Sequence, residues 1–346
     1  MPNNLRVTTE RTVFLVVRFL LLLGMLTTIS LAGVVMYAIQ PASSDPAELT
    51  QLIAVTSGMT GRDIALLLEE RGIVDDALLF RLLVRLTGTE HHLQAGHYLL
   101  NPNMDSMEII EQLRTGKTVT ERVVIPEGFE LKQIAKLLAD KGLVDYDRFL
   151  ALASSAEAVF GEALPIDLPI DTLEGYLFPD TYYFSFGQSE ADIIGQMVYR
   201  FVEVIDEHVS DALKQSDLTL HEVVTLASIV EREIMVDWER PLVASVYLNR
   251  LAINMPLQAD PTVRYVMTED RSRVLYRDLE IDSPYNTYRN RGLPPGPIAS
   301  PGLASILAVL NPADEDYLYF VSKRDGTHQF SRTFNEHVRA RRALGY

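Results

Sequence analysis

The sequence predicts an α+β protein: a single transmembrane helix, a small α/β module, then a mostly helical α+β domain with a β-hairpin. Three observations predict it. A charge-free apolar run stands near the N-terminus, one stretch of the first half occurs twice, and the second half alternates helical periodicity with a strand-turn-strand pattern. At 346 residues and 47% apolar, the chain is long enough for two or three domains with cores of their own.

The apolar run, Phe19 to Ile39, has 21 residues without a charge. As a helix it is roughly 31 Å long, against a bilayer core about 30 Å thick. It also exceeds the about 7–15 apolar residues of a cleaved signal peptide. Arg6, Arg11 and Arg18 precede it against a single Glu10, and Asp45 and Glu48 follow. Positive charge stays inside. The reading is therefore a cytoplasmic tail at 1–18, a plasma (inner) membrane span at 19–39 and an extracytoplasmic remainder. The net charge of −16 argues against nucleic acid, whose phosphates are bound by Lys and Arg. The chain has no cysteine, which excludes disulfides and thiolate metal sites.

A polar linker, 40–50, carries PASSD at Pro41–Asp45. The repeat follows. SGMTGRDIALLLEERGIVD (Ser57–Asp75) and EGFELKQIAKLLADKGLVD (Glu127–Asp145) align without gaps, Gly58 with Gly128 and Gly72 with Gly142. Each copy reads as a strand end, a Gly turn, an amphipathic helix and a Gly stop. Between them, Ala95–Tyr98 reads as a strand and Met107–Leu113 as a helix. This small βααβ pattern, 51–117, resembles LysM, a module that binds N-acetylglucosamine-containing glycans. Residues 118–163 read as the second repeat, a linking subdomain.

From 164 the texture changes. Pro165, Pro169 and Pro179 bracket DTLEGYLFPDTYYF, which ends in an aromatic strand. Helical patterns run over 188–214, 220–235 and 240–251, followed by a Pro/Gly-rich loop, Ser283–Gly302. YLYFVS turns at Asp325-Gly326 into THQFS, and a last helix opens with a Thr333-x-x-Glu336 capping box.

The helix at 220–235 poses the chemical question. Its start is set by a second capping box, Thr219-x-x-Glu222. At 100° per residue from Leu220, Val223, Val224, Ala227, Val230 and Ile234 fall between about −80° and +40°. Glu231 falls near about +20°, inside that stripe, and Glu222 and Glu233 near about 200–220°. Leu226 and Ile229 lie opposite the stripe, so the helix is expected to be buried on more than one face. An acid in such a place is either paired, with Arg232, Arg240 or Arg264 in reach, or a carboxyl kept protonated for general acid work. Asp260 before Pro261 reads as an N-cap with Pro at N1. Tyr285, Asn286 and Tyr288 sit on a loop stiffened by five prolines, which suits stacking on sugar rings and bonding of hydroxyls.

EGYLFPDTY (Glu174–Tyr182), LASIVERE (Leu226–Glu233), ERPLVASVYLNRL (Glu239–Leu251), LQADPTVRY (Leu257–Tyr265), YNTY (Tyr285–Tyr288), GLPPGPIASPG (Gly292–Gly302) and YLYFV with HQF stand in that order. Together they resemble the YceG-like family of endolytic murein transglycosylases. The resemblance implies a catalytic domain at 164–346 acting on peptidoglycan glycan strands, with Glu231 as its catalytic acid. Glu174, Gln258, Asp260, Asn286, Tyr288 and His328 are implied as substrate contacts. No cofactor is implied. A lytic transglycosylase works with one carboxylate, so a lone well-placed Glu231 favours it over a hydrolase. Glu174, Asp180 or Asp260 folding in beside Glu231 would instead make a two-carboxylate muramidase. A membrane-tethered glycan-binding scaffold is the reading from another class. Peptidoglycan synthases are the protein partners that an anchored cutter of nascent strands implies. No metal site is expected, because adjacent His91-His92 diverge on a helix and His221-Glu222 lacks a second His four residues on.

Overall fold

The computed structural model describes residues 3–45, 50–56, 58–116, 118–268 and 274–346; Glu48, Ser57 and position 117 lie outside them. The chain forms two compact units, Met1–Glu121 with Ser185–Gly187, and Arg122–Phe184 with Gln188–Tyr346.

The first unit opens with α1, Asn3–Ile39. Its segment Leu20–Ile39, 20 residues of mean hydropathy 2.1, is long and apolar enough to cross a membrane. β1 (Gln51–Val55), α2 (Gly61–Glu70), α3 (Ala77–Leu86) and β2 (Gly96–Leu100) follow in the expected βααβ order, then α4 (Ser106–Thr115); β3 (Thr120–Val124) runs on into the second unit. β1 and β2 are antiparallel, from Gln51↔Leu100 to Val55↔Gly96. The helix starts are fixed locally, by Thr60 with Asp63, by Asp76, and by Asp105 with Glu108. The core gathers Ile53, Leu68, Phe80, Tyr98 and Leu113, and Val35 and Ile39 of α1 pack against it. Ser106 Oγ donates to the Ala38 carbonyl (2.7 Å), Ser43 N–H to that of Pro102 (3.0 Å), and Asn103 Nδ2 to that of Asp45 (2.8 Å). The described part of the expected linker is thus tied to the module.

The second unit repeats the opening theme. Here α5 (Leu131–Asp140), α6 (Tyr146–Ala153) and α7 (Ala156–Phe160) lead to β4 (Thr181–Ser185), which pairs with β3. Gly58 and Gly128 take φ +90° and +75°, and Gly72 and Gly142 take +67° and +70°. Residues with a Cβ avoid this left-handed region, which explains why these glycines recur at matching places.

α8 (Glu190–Val204) runs through a π turn, Ile205–Val209, into α9 (Ser210–Leu213). α10 (Leu220–Glu233) forms the centre, packed by α11 (Arg240–Ala252), α12 (Asp260–Tyr265) and α13 (Leu303–Leu310). Every residue from Val223 to Val230 is buried, so α10 has no solvent side at its middle. At about 1.5–3 kcal/mol per buried aliphatic side chain, this stretch dominates the local stability. Thr219 and Glu222 form the expected capping box.

β5 (Tyr319–Ser322) and β6 (His328–Ser331) make the expected hairpin, with Tyr319↔Ser331 and Ser322↔His328 in register. α14 (Phe334–Ala343) starts on the Thr333 box. One local reading is corrected. Ala259, not Asp260, is the N-cap of α12, with Asp260 at N1 and Pro261 at N2. Thr287 Oγ1 already accepts the Ala259 N–H (3.0 Å), and the Asp260 carboxylate is turned away to Tyr288.

Candidate active site

Glu231 sits in the last turn of α10 with its side chain 7% exposed. Both of its oxygens accept hydrogen bonds. Arg240 Nη2 donates to Oε1 at 3.0 Å, and the Gly302 N–H donates to Oε2 at 3.1 Å. Of the three arginines in sequence reach, Arg240 makes the pair, and Arg232 instead donates to the Gly128 carbonyl (2.9 Å). Arg240 is itself held by Ser305 Oγ (2.9 Å) and by Asp237, which lies on the strap between α10 and α11.

A second carboxylate joins this group. Glu127 Oε2 lies 3.8 Å from the same Arg240 Nη2 and is half exposed. Burial and the neighbouring Glu231 charge push its carboxyl up, partly offset by Arg240. Gly302 is wedged between the two acids. A Cβ there would lie 1.9 Å from Glu127 Oε1, while its N–H serves Glu231. The backbone closes the site from both sides: Gly128 N–H donates to the Ser300 carbonyl and Ser300 N–H to that of Phe129, both at 2.8 Å. The end of the Pro/Gly loop, Gly296–Gly302, is a buried strap, and Ser228 Oγ on α10 accepts the Ile298 N–H (3.0 Å). The strap from Ile234 to Glu239 turns Met235 and Trp238 to solvent, 82% and 62% exposed.

Glu127 was not singled out by the sequence reading. The available signal is an asymmetry in the repeat: the second copy has Glu127 and Glu130 where the first has Ser57 and Thr60.

The implied contacts fall in three groups. His328 joins Glu231 through the strap: Glu239, fully buried, accepts the His328 N–H (2.9 Å) and bonds its Nδ1 (2.7 Å). A carboxylate only accepts, so Nδ1 is the protonated ring nitrogen in this pair.

Asp260 and Tyr288 form a second group, with the Tyr288 hydroxyl donating to Asp260 Oδ1 (2.6 Å). Glu233 adjoins them. Its carboxyl is pushed up to about 7 by burial, with Asp260 adding to the rise, although Tyr247 OH donates to it at 2.9 Å. The helical wheel put Glu233 opposite the apolar stripe, but α11 and α12 cover that side as well. Gln258 is exposed at φ +48°, its N–H on the Thr287 carbonyl (3.2 Å).

Glu174 and Asn286 lie beneath. Glu174 is 4% exposed and caps α5 by accepting the Leu131 N–H (3.1 Å), with Tyr265 OH at 3.3 Å. Asn286 is fully buried and donates to the Leu279 and Ile281 carbonyls (3.0 and 2.8 Å). His221 has both ring nitrogens engaged, with Tyr176 OH and the Pro295 carbonyl.

Burial pushes the Glu174 carboxyl up to about 8, opposed by the Leu131 N–H. A carboxyl raised by folding contributes stability below its unfolded value that is lost as pH rises through the folded value. Glu174 and Glu233 should thus make the second unit less stable by a few kcal/mol at about pH 8.5 than at about pH 5. Urea midpoints at the two pH values check this, and Glu174→Gln should flatten the difference.

The profile of the YceG-like family matches residues 53–343. A Bacillus subtilis protein named endolytic murein transglycosylase is 37% identical over 318 residues, covering 88% of this chain and 87% of the relative. A Streptococcus pneumoniae protein of the same name is 30% identical over 321 residues, with 83% of this chain and 57% of the relative covered. The crystal structure of a yceG-like protein from Listeria monocytogenes superposes with TM-score 0.58 at 35% identity, covering 85% of this chain and all of that one. The match spans both units and the blocks around Glu231 and Arg240, and the chain belongs to the YceG-like family.

Proposed function

We propose that the chain is a lytic transglycosylase of peptidoglycan, with Glu231 as its acid and then its base. The observation that carries this is the Glu231 carboxylate, 7% exposed and held by one guanidinium and one backbone N–H, in a chain whose relatives are named endolytic murein transglycosylases.

Protonated Glu231 gives its proton to the oxygen between N-acetylmuramic acid C1 and N-acetylglucosamine C4, and that C1–O bond breaks. The positive charge at C1 is met by the substrate's own N-acetyl oxygen. Glu231, now a carboxylate, takes the proton of the C6 hydroxyl as O6 closes on C1. The product ends in a 1,6-anhydro ring and no water is consumed. When Glu231 is protonated, Asp237 and Glu127 keep Arg240 paired. Exposed Gln258 and Asp260, with Tyr288 and His328, supply the polar contacts to the strand, and Glu174 and Asn286 support them from below.

In this reading 51–117 is a LysM-like glycan-holding module, supported by its βααβ order. Residues 118–163 link it to the catalytic domain, 164–346. Arg6, Arg11 and Arg18 keep the tail, 1–18, cytoplasmic. The rest lies outside the plasma membrane, where cleavage of nascent strands beside the wall synthases ends their elongation.

Glu127 favours a second reading. Hydrolases hold two carboxyls about 5–5.5 or 6.5–9.5 Å apart, and both acids here lie within 4 Å of one Arg240 nitrogen. Mass spectrometry of the products from intact glycan strands and full-length protein in detergent separates the two. Ends lighter by one water than hydrolysis products are expected. Hydrated ends would make it a muramidase using Glu127, and binding without cleavage would make it a scaffold.

A further inference from the structure

α3 is apolar on two opposite sides. At 100° per residue from Leu78, the residues Ala77, Phe80, Leu83 and Val84 fall at about 140–260°. They are buried in the core of the first unit. Leu78, Leu82 and Leu86 fall at about 0–80°, and Arg81 and Arg85 at about −60° and −20°, along one edge of that stripe. The three leucines are 76%, 36% and 62% exposed. A helix side turned to water is normally polar, so this stripe calls for a partner.

The position of α1 says which partner. α3 packs against α1, and the α1 residues in the module core are Val35, Ala38 and Ile39. These are the last turns of the apolar span. Starting at Leu20, a hydrocarbon layer about 30 Å thick takes up about 20 residues of helix, ending near Ile39. α3 is thereby held where the bilayer ends. Arginines beside a leucine stripe are what an interfacial helix presents to phosphate headgroups.

We propose that the Leu78–Leu82–Leu86 face of α3 lies in the headgroup layer of the bilayer that α1 crosses, with Arg81 toward lipid phosphate and Arg85, whose Nε pairs with Glu90 at 3.4 Å, beside it. It rests on the reading of α1 as a span and is independent of the catalytic reading.

The chain has no cysteine, so Leu78→Cys and Leu82→Cys each create one labelling site on the exposed face, away from the core. Leu26→Cys, on the exposed surface of α1, is the reference. Full-length protein carrying an environment-sensitive dye is reconstituted into phosphatidylcholine vesicles with or without phosphatidylglycerol. Quenching by lipid-borne nitroxides is then compared with quenching by aqueous iodide.

The expected result is that labels at 78 and 82 are quenched by lipid nitroxides at a depth of about 5–10 Å and shielded from iodide. Lipid quenching at Leu26 with iodide quenching at 78 and 82 would overturn the proposal alone. No lipid quenching at Leu26 would remove the span reading and the proposal with it. Labels at 78 and 82 shielded from both quenchers, with energy transfer between differently labelled copies, would assign the face to a second copy and overturn it too.

Discussion

Glu231→Gln removes strand cleavage while leaving the fold and strand binding in place. The substitution keeps the shape, and an amide oxygen still accepts from Arg240, but the exchangeable acid is gone. General acid–base groups contribute about 10²–10⁴-fold to rate. Because one glutamate serves both steps in the proposed mechanism, the expected loss is about a thousandfold or more. The measurement is the yield of anhydro-ended products from intact strands. The single tryptophan, Trp238, is exposed on the strap leading to Arg240, so its emission reports that the region is intact and that strands still bind. Activity retained above about a tenth of wild type would exclude Glu231 as the acid. Glu127→Gln is the informative companion. A lyase should keep producing anhydro ends, with its pH profile displaced, whereas a two-carboxylate hydrolase should stop.

Arg240→Ala has the largest expected effect on stability. The guanidinium side chain is 9% exposed and that of Glu231 is 7% exposed, so the substitution strands a buried carboxylate. Removing one partner of a buried pair costs about 3–5 kcal/mol. The pairs with exposed Asp237 and half-exposed Glu127 add little to that figure, being screened by water. Arg240→Lys should recover only part, because one ammonium nitrogen cannot stand where Nη2, Nη1 and Nε separately meet Glu231, Asp237 and Ser305. Denaturant unfolding followed by circular dichroism is the check. With two compact units, the change should appear in one transition and leave the other in place. A full-strength second transition in Arg240→Ala would show that Glu231 does not depend on this partner.

The local parts of this fold were legible because their causes are local. The capping boxes at Thr219 and Thr333, the glycine stops of the repeat and the Asp325-Gly326 turn each rest on residues within a few positions. The burial of Glu231 was legible because it falls within the apolar stripe of its helix. Its surroundings were not. Glu127 lies more than a hundred residues upstream, and only tertiary packing brings it to Arg240. Asn286 looked like a sugar ligand because a sequence does not reveal which carbonyls a loop amide will satisfy; here the loop takes both donors. Glu233 escaped the wheel for a related reason. A wheel tells one side from the other, but it does not say that both sides are covered.

The join between α1 and the first module bears on how the protein could leave a membrane that α1 crosses. Ala38 is buried, Ser106 grips its carbonyl, and Val35 and Ile39 fill the same core. A protease cutting just after Ile39 would release a body missing part of its own interior. At about 0.8 kcal/mol for each methylene uncovered, that wound amounts to a few kcal/mol, comparable with the whole margin of a small domain. Shedding would therefore also unfold the module, and a soluble form made by trimming would need those last helical turns kept.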